Sequence, residues 1–314
     1  MIIQFILLAV GFALLMKGAD VFVEGASKIA GLLKIPEIVI GLTIVAFGTS
    51  APEAAVSIAS AFKGSAGIAV GNIIGSNIAN VLLILGLSGI LGALAIKKNT
   101  LKIETPYVIV ISVVLLGLGY FDGTISFIDG CILWAFFLAF LFYLYQLSKK
   151  GDEDAIDDVL ELDENDRLWK LILMLIFGGI AIVYGSQLTV DSATLIAQEF
   201  GVSDRIIGLT IVSIGTSLPE LVTSVSASLK GKTDIAIGNI IGSNIFNILF
   251  VLGTAALVAP HGIPFAQGFI TDGIISIGAI VLFMAFINLK NYTLRKTGAA
   301  IMLLSYVAYL IYIL

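Results

Sequence analysis

Residues 41–86 recur without a gap as residues 208–253, and a shift of 167 positions makes 27 of these 46 pairs identical. A match of that length and density marks a duplicated unit, so the chain must build one arrangement twice and join the copies. The shift lays Glu53 on Glu220, Thr49 and Ser50 on Thr216 and Ser217, Pro52 on Pro219, Ser76 on Ser243, and Asn80 on Asn247. It also carries Gly18 onto Gly185 and Glu24 onto Asp191, which extends the duplication to the preceding segments.

The repeat lies in a chain of 314 residues that is 59% hydrophobic and only 12% charged. About a quarter of a soluble domain is charged, so an ordinary soluble fold is excluded. A membrane-spanning helix needs about 20 mostly apolar residues. The apolar runs supply ten, near residues 2–23, 37–62, 67–92, 105–121, 126–148, 168–190, 205–229, 234–258, 269–288 and 297–314. The expected fold is an all-α polytopic membrane protein of ten transmembrane helices. It divides into a first five-helix repeat (1–150), an acidic linker (151–167) and a second five-helix repeat (168–314). The first run has no basic segment ahead of it and no small-residue cleavage pattern after it, so it reads as a retained helix. Its Lys17, Asp20 and Glu24 are expected to pair near a membrane face.

Lysine and arginine set the orientation. Lys28, Lys34, Lys97, Lys98, Lys102, Lys149, Lys150, Arg167, Lys170, Lys230, Lys232, Lys290, Arg295 and Lys296 all fall in alternate loops, on one side. The other side has Lys63 and Arg205. Cytoplasmic loops carry the basic excess, so both termini are expected outside and the linker in the cytoplasm of a multi-pass cell-membrane protein. Nine acids between Asp152 and Asp166 give the linker its charge. It lacks the spaced ligands and glycine of an EF-hand loop, and reads as a solvated tether.

Five helices per unit mean that the second copy enters the membrane from the opposite side. The repeats are therefore inverted, the pattern of secondary transporters in which interrupted helices from both halves meet near the midplane. The second run holds Gly48-Thr49-Ser50-Ala51-Pro52-Glu53 in mid-span, and the seventh holds Gly215-Thr216-Ser217-Leu218-Pro219-Glu220. A carboxylate at the bilayer centre costs about 2.5 kcal/mol or more unless it has a partner, and here the cost is incurred twice. Thr49 and Ser50, four and three residues before Glu53, share its helical face. Pro52 has no N–H for the carbonyl of Gly48. Asn72, Ser76 and Asn80 form one polar face in the third run, repeated by Asn239, Ser243 and Asn247 in the eighth. This inventory of carboxylates, hydroxyls, amides and carbonyls suits a hard cation such as Ca²⁺.

Other polar and small residues read as structural. Gly71 with Gly75 and Gly238 with Gly242 are spaced for close helix packing. Thr43, Thr210, Ser57 and Ser224 are expected to bond back to their own helices, and Asn77 and Asn244 to tie helices together. Cys131 and His261, single residues of their kinds, read as incidental. They leave no disulfide, no His/Cys metal cluster and no Ser/His or Cys/His nucleophile, so no enzyme activity and no cofactor are expected. Neither a nucleic-acid nor a protein partner is implied.

Gly-Thr-Ser-x-Pro-Glu in the second and seventh runs, with Gly-Asn-x-x-Gly-Ser-Asn-x-x-Asn in the third and eighth, resembles the alpha repeats of sodium/calcium exchangers. These belong to the calcium/cation antiporter superfamily, and the likeness is to its prokaryotic type without a large regulatory domain. The resemblance implies an antiporter that exchanges Na⁺ for Ca²⁺ across the bilayer by alternating access at a shared midplane site. Carried over, the ion ligands are Glu53, Thr49, Ser50 and the carbonyl of Ala46, then Glu220, Thr216, Ser217 and the carbonyl of Ser213. Ser76, Asn80, Ser243 and Asn247 complete the set. The exchangers often carry Asp where this chain has Asn247, which leaves two carboxylates in place of three. An H⁺/Ca²⁺ exchanger and a K⁺-dependent Na⁺/Ca²⁺ exchanger are the alternatives; a passive cation channel fits the inverted repeat less well, and an intramembrane hydrolase using Ser50 or Ser217 would lack a base, since His261 is the only histidine and lies far away in sequence.

Overall fold

A computed structural model of the chain describes residues 2–62, 66–92, 94–150, 167–200, 213–288 and 291–313. The acidic stretch 151–166 and the first part of the seventh run, 205–212, lie outside the described residues. In a bilayer the backbone must satisfy its own polar groups, which favours helices. The order is α1 (Ile2–Leu33), α2 (Glu37–Thr49), α3 (Ala51–Phe62), α4 (Gly67–Leu91), α5 (Thr100–Asp122), β1 (Thr124–Ile125), α6 (Phe127–Lys150) and α7 (Leu168–Glu199). The second half continues with α8 (Ser213–Thr216), α9 (Leu218–Leu229), α10 (Thr233–Val258), β2 (Ile263–Pro264), α11 (Gln267–Ala285), β3 (Ile287–Asn288), β4 (Thr293–Leu294) and α12 (Lys296–Ile313).

Among the described residues, eight helices are long and apolar enough to cross a membrane, and the bent pair α2–α3 makes a ninth span. The tenth expected span corresponds to α8 and α9, of which only the part from Ser213 onward is described. The protein is an all-α polytopic membrane protein. Helices α1 and α7 run past their expected ends at 23 and 190, to Leu33 and Glu199. Hydropathy alone stops at the charges, whereas in α1 Glu24 and Lys28 continue the helix as a 3.2 Å pair one turn apart. Asp20 pairs across the fold with Lys230, at 3.3 Å. Ion pairing at this end thus reaches beyond the three residues expected to pair there.

Helices α4 and α10 form the centre, with 78% and 94% of their apolar windows buried, against 22% for α1 and α12. The exposed aliphatic and aromatic side chains of the outer helices, such as Ile3, Phe142, Phe177 and Leu304, suit contact with lipid tails. Helices α1 and α7 pack antiparallel along glycines. A Cβ on Gly18 would lie 2.9 Å from the carbonyl of Gly178, and one on Gly185 would lie 2.9 Å from that of Gly11. Because the 167-residue shift carries Gly11 to Gly178 and Gly18 to Gly185, each crossing is the image of the other.

The ends of the bundle carry the same symmetry. On one face β1 pairs antiparallel with β2, Ile125 opposite Ile263. On the other, Ala95 bridges Thr293 antiparallel, beside the β3–β4 hairpin. Adding 167 to 95 gives 262, and subtracting it from 293 gives 126, so the image of the second bridge is the next pair along the β1–β2 ladder in the same register, and the two lie at opposite ends. Ion pairs gather at the second face, where Lys232 meets Glu37 at 3.2 Å, Lys97 meets Asp234 at 3.0 Å, and Asp20 accepts from Ser226 at 2.7 Å. All these residues fall in or next to loops that the sequence assigns to the lysine-rich side.

Cysteines can test this arrangement, since facing residues of an antiparallel bridge are within reach of a disulfide. In a Cys131→Ser background, Ala95→Cys with Thr293→Cys should cross-link within one chain, and so should Thr124→Cys with Pro264→Cys. With a membrane-impermeant thiol reagent, the first pair should react only from the cytoplasmic side of oriented vesicles and the second only from outside. Labelling of both pairs from one side would contradict the inverted arrangement.

Candidate cation site

Both interrupted helices break at equivalent residues. Ser50 leaves helical geometry at φ −83° and ψ 7°, and Ser217 does so at φ −89° and ψ 4°. Each break lies two residues before a proline that cannot donate a backbone hydrogen bond, and α3 leaves α2 at a bend of 51°. The next helix therefore starts at mid-span, with Glu53 in the first turn of α3 and Glu220 in the first turn of α9. A helix start favours a carboxylate through its unpaired N–H groups and dipole. Helices α4 and α10 change to π-helix at Asn80–Leu85 and Asn247–Leu252, another matched pair. Such segments are frequent at functional sites.

The breaks converge. Glu53 and Glu220 are each 1% exposed, and their carboxylates are close enough to interact electrostatically. Ser50 donates to Glu220 Oε1 at 2.8 Å, across the two repeats. The hydroxyls of Thr49 and Ser243 also lie by the Glu220 carboxylate, and that of Ser217 lies by Glu53. Ser217 and Ser76 approach at 3.4 Å between hydroxyl oxygens. Of the sequence-derived set, Thr49, Ser50, Glu53, Ser76, Ser217, Glu220 and Ser243 thus come together from the two interrupted helices and from α4 and α10. Thr216 sits at the end of α8. Ser213 is the first residue of α8, and its side chain lies outside the described set. The Ala46 carbonyl is not bare, because it accepts from the Ser50 N–H at 3.0 Å and from the Thr49 hydroxyl at 3.3 Å.

The remaining asparagines of the two polar faces, and several residues read as structural, are built into this cluster. Asn72 donates to Ser57 Oγ at 2.9 Å and toward the Glu53 carbonyl at 3.5 Å. Asn239 repeats this with Ser224 at 2.9 Å and the Glu220 carbonyl at 3.4 Å. Ser57 and Ser224 therefore receive bonds from the neighbouring helix, whereas Thr43 bonds back to Val39 as expected, at 2.6 Å. Asn239 also accepts from Thr49 at 2.9 Å, which ties α2 to α10. Asn77 and Asn244 do join helices, across the repeats. The glycine motifs differ between the copies. A Cβ on Gly238 or Gly242 would meet α2 within 3 Å, whereas one on Gly75 would meet nothing within 4 Å. The duplication pointed to these asparagines and serines, but spacing alone could not say which partner each would take.

Four oxygens are left over. Glu53 Oε2, Glu220 Oε2, Asn80 Oδ1 and Asn247 Oδ1 are buried without a hydrogen-bond partner. Each is matched through the repeat: the glutamates with one another, and likewise the asparagines. A buried acceptor left unpaired costs about 1–3 kcal/mol, and more when it is charged. Among the described residues no ion pair reaches either glutamate, and no group of three or more His, Cys, Asp and Glu side chains is placed to hold a metal. Two carboxylates among neutral oxygens have the chemistry to accept a hard cation.

Comparison with known proteins agrees with this arrangement. The family described as sodium/calcium exchanger protein matches residues 3–146 and 170–314. The sodium/calcium exchanger MaX1 of Methanosarcina acetivorans is 33% identical over 98% of both chains. The inner membrane protein YrbG of Escherichia coli is 38% identical over 83% of this chain and 81% of its own. Among solved structures, the sodium-calcium exchanger NCX_Mj soaked with Na⁺ and Ca²⁺ superposes with a TM-score of 0.83, at 31% identity, over 98% of this chain and 97% of its own. The chain belongs to the sodium/calcium exchanger family, a family of multi-pass membrane antiporters of Ca²⁺ and other cations.

Proposed function

We propose that this protein exchanges Na⁺ for Ca²⁺ across the cell membrane, and that both ions use one midplane site between Glu53 and Glu220. The observation that carries this reading is the set of unpartnered oxygens on Glu53, Glu220, Asn80 and Asn247. Two ionised glutamates neutralise one Ca²⁺. The hydroxyls of Thr49, Ser50, Thr216, Ser217, Ser76 and Ser243 and the carbonyls of Ala46 and Ser213 would serve the smaller charge of Na⁺ and fill out the Ca²⁺ shell. Alternating access follows from the inverted repeat, since each half can present the site to one side. The lysine-rich face is assigned to the cytoplasm, the termini to the outside, and the linker 151–167 to a tether between the two halves. No cofactor takes part, and Ca²⁺ and Na⁺ are the substrates.

Replacing either glutamate should be severe. Glu53→Gln or Glu220→Gln removes one of two buried counter-charges, a loss of about 3 kcal/mol or more, or about a hundredfold in Ca²⁺ affinity. Uptake of radiolabelled Ca²⁺ into proteoliposomes loaded with Na⁺ should therefore vanish in both variants while they remain monodisperse. Appreciable exchange in either variant would displace the site.

The coupling ion is read by imposing gradients separately. A Na⁺ gradient with pH clamped and K⁺ absent should drive Ca²⁺ flux, and a pH gradient alone should not. Flux driven by pH alone would make the protein a proton exchanger, a need for K⁺ would make it a K⁺-dependent exchanger, and Ca²⁺ movement without any opposing cation would make it a channel.

A further inference from the structure

Asn80 and Asn247 can serve a cation only through their amide oxygens. An asparagine side chain has an acceptor at one end and a two-proton donor at the other, and a half-turn about its last bond exchanges them. A flipped amide would face the ion with its positive end. Something must therefore hold the orientation, and the hydrogen bonds around Asn77 do so step by step.

The Asn77 amide nitrogen donates to the main-chain carbonyl of Asn244 at 3.3 Å. A backbone carbonyl can only accept, so the nitrogen end of Asn77 must face it. Asn77 Oδ1 then faces the other way and accepts from Asn247 Nδ2 at 3.1 Å. That contact can form only if Asn247 presents its nitrogen, which leaves Asn247 Oδ1 as the free end, buried and without a partner. The other repeat supplies only part of the mirror: Asn80 Nδ2 donates to Asn244 Oδ1 at 2.9 Å and Asn80 Oδ1 is left free, but Asn244 Nδ2 is buried without a partner, so Asn77 alone of the two is anchored on a main-chain carbonyl. Asn77 and Asn244 are 2% and 0% exposed, so water does not compete for these bonds. The contacts are crossed, because each repeat orients the asparagine contributed by the other. Helix α3, which carries Glu53, packs against the π-helical stretch that begins at Asn247, and α9, which carries Glu220, packs against the stretch that begins at Asn80. The freed oxygens thus belong to segments that touch the glutamate helices of the opposite half.

We propose that Asn77 and Asn244 are positioning residues of the cation site, which hold the Asn247 and Asn80 amides with oxygen toward the ion. The proposal rests on reading Asn247 and Asn80 as ligands. It differs from a simple helix tie in one consequence: a carboxylate has no wrong end, so an aspartate in the ligand position needs no orienting partner.

A double-mutant cycle reads this through equilibrium binding of radiolabelled Ca²⁺ to the purified full-length protein. Asn77→Leu should weaken binding about tenfold or more in the wild-type background, the loss expected for a buried charge-assisted contact. In an Asn247→Asp background the same change should cost less than about threefold. Asn244→Leu with Asn80→Asp should show the same pattern with a smaller loss, because Asn244 is not itself anchored. If Asn77→Leu is not monodisperse, Asn77→Ala enters the same cycle. Equal losses in both backgrounds, or a folded Asn77 variant that binds as wild type does, would overturn the proposal. Glu53→Gln, measured alongside, separates this outcome from failure of the site itself: if it binds Ca²⁺ normally, the site reading is what has failed.

Discussion

Two buried carboxylates, close to one another and without a basic partner among the described residues, are the constraint on which the rest of the structure depends. Bringing two like charges into an apolar bundle is unfavourable in any conformation that leaves them ionised and empty. The chain offsets part of this by starting new helices at Glu53 and Glu220 and by turning hydroxyls toward them. The remainder is what a bound cation would offset, and under the proposed function it is what would let the site load and unload. A fully satisfied polar core would be more stable and would have no need of an ion.

The duplication explains how so many polar groups reach one place. Each repeat contributes a broken helix with a carboxylate and a central helix with an asparagine-rich face, and the symmetry sets the second pair against the first. The consequence is exchange between halves. Ser50 of one repeat bonds Glu220 of the other, Thr49 bonds Asn239, and the asparagines cross in both directions. The same relation governs the α1–α7 glycine crossings and the two bridges at opposite ends. A relative motion of the two halves would therefore act directly on bonds made by the proposed ligands.

Much of this was legible in the sequence. The spans, the duplication, the inversion and the two glutamates all follow from periodicity and from counting, because burying a charge in a membrane segment leaves an unmistakable pattern. What could not be read was direction. Ser57 and Ser224 were expected to bond their own helices, yet they receive Asn72 and Asn239, since a hydroxyl's choice between a local and a cross-helix partner depends on the neighbour's position. Gly238 and Gly242 admit α2, whereas Gly75 faces open space, although both motifs have the same spacing. The reach of α1 to Leu33 was hidden by charges that form helical pairs. The carbonyl of Ala46, which the resemblance makes an ion ligand, already accepts two hydrogen bonds because the helix breaks at Ser50 and not before it.

The central claim is that one divalent cation lies between the free carboxylate oxygens of Glu53 and Glu220. The most direct measurement is anomalous diffraction from crystals of the protein soaked in Sr²⁺ and, separately, in Ca²⁺. A single strong peak is expected within coordination distance of both Glu53 Oε2 and Glu220 Oε2, about 2.3–2.6 Å for Ca²⁺. It should be lost from crystals of Glu53→Gln. A peak elsewhere in the bundle, or an ion bound by only one of the two glutamates, would contradict the account.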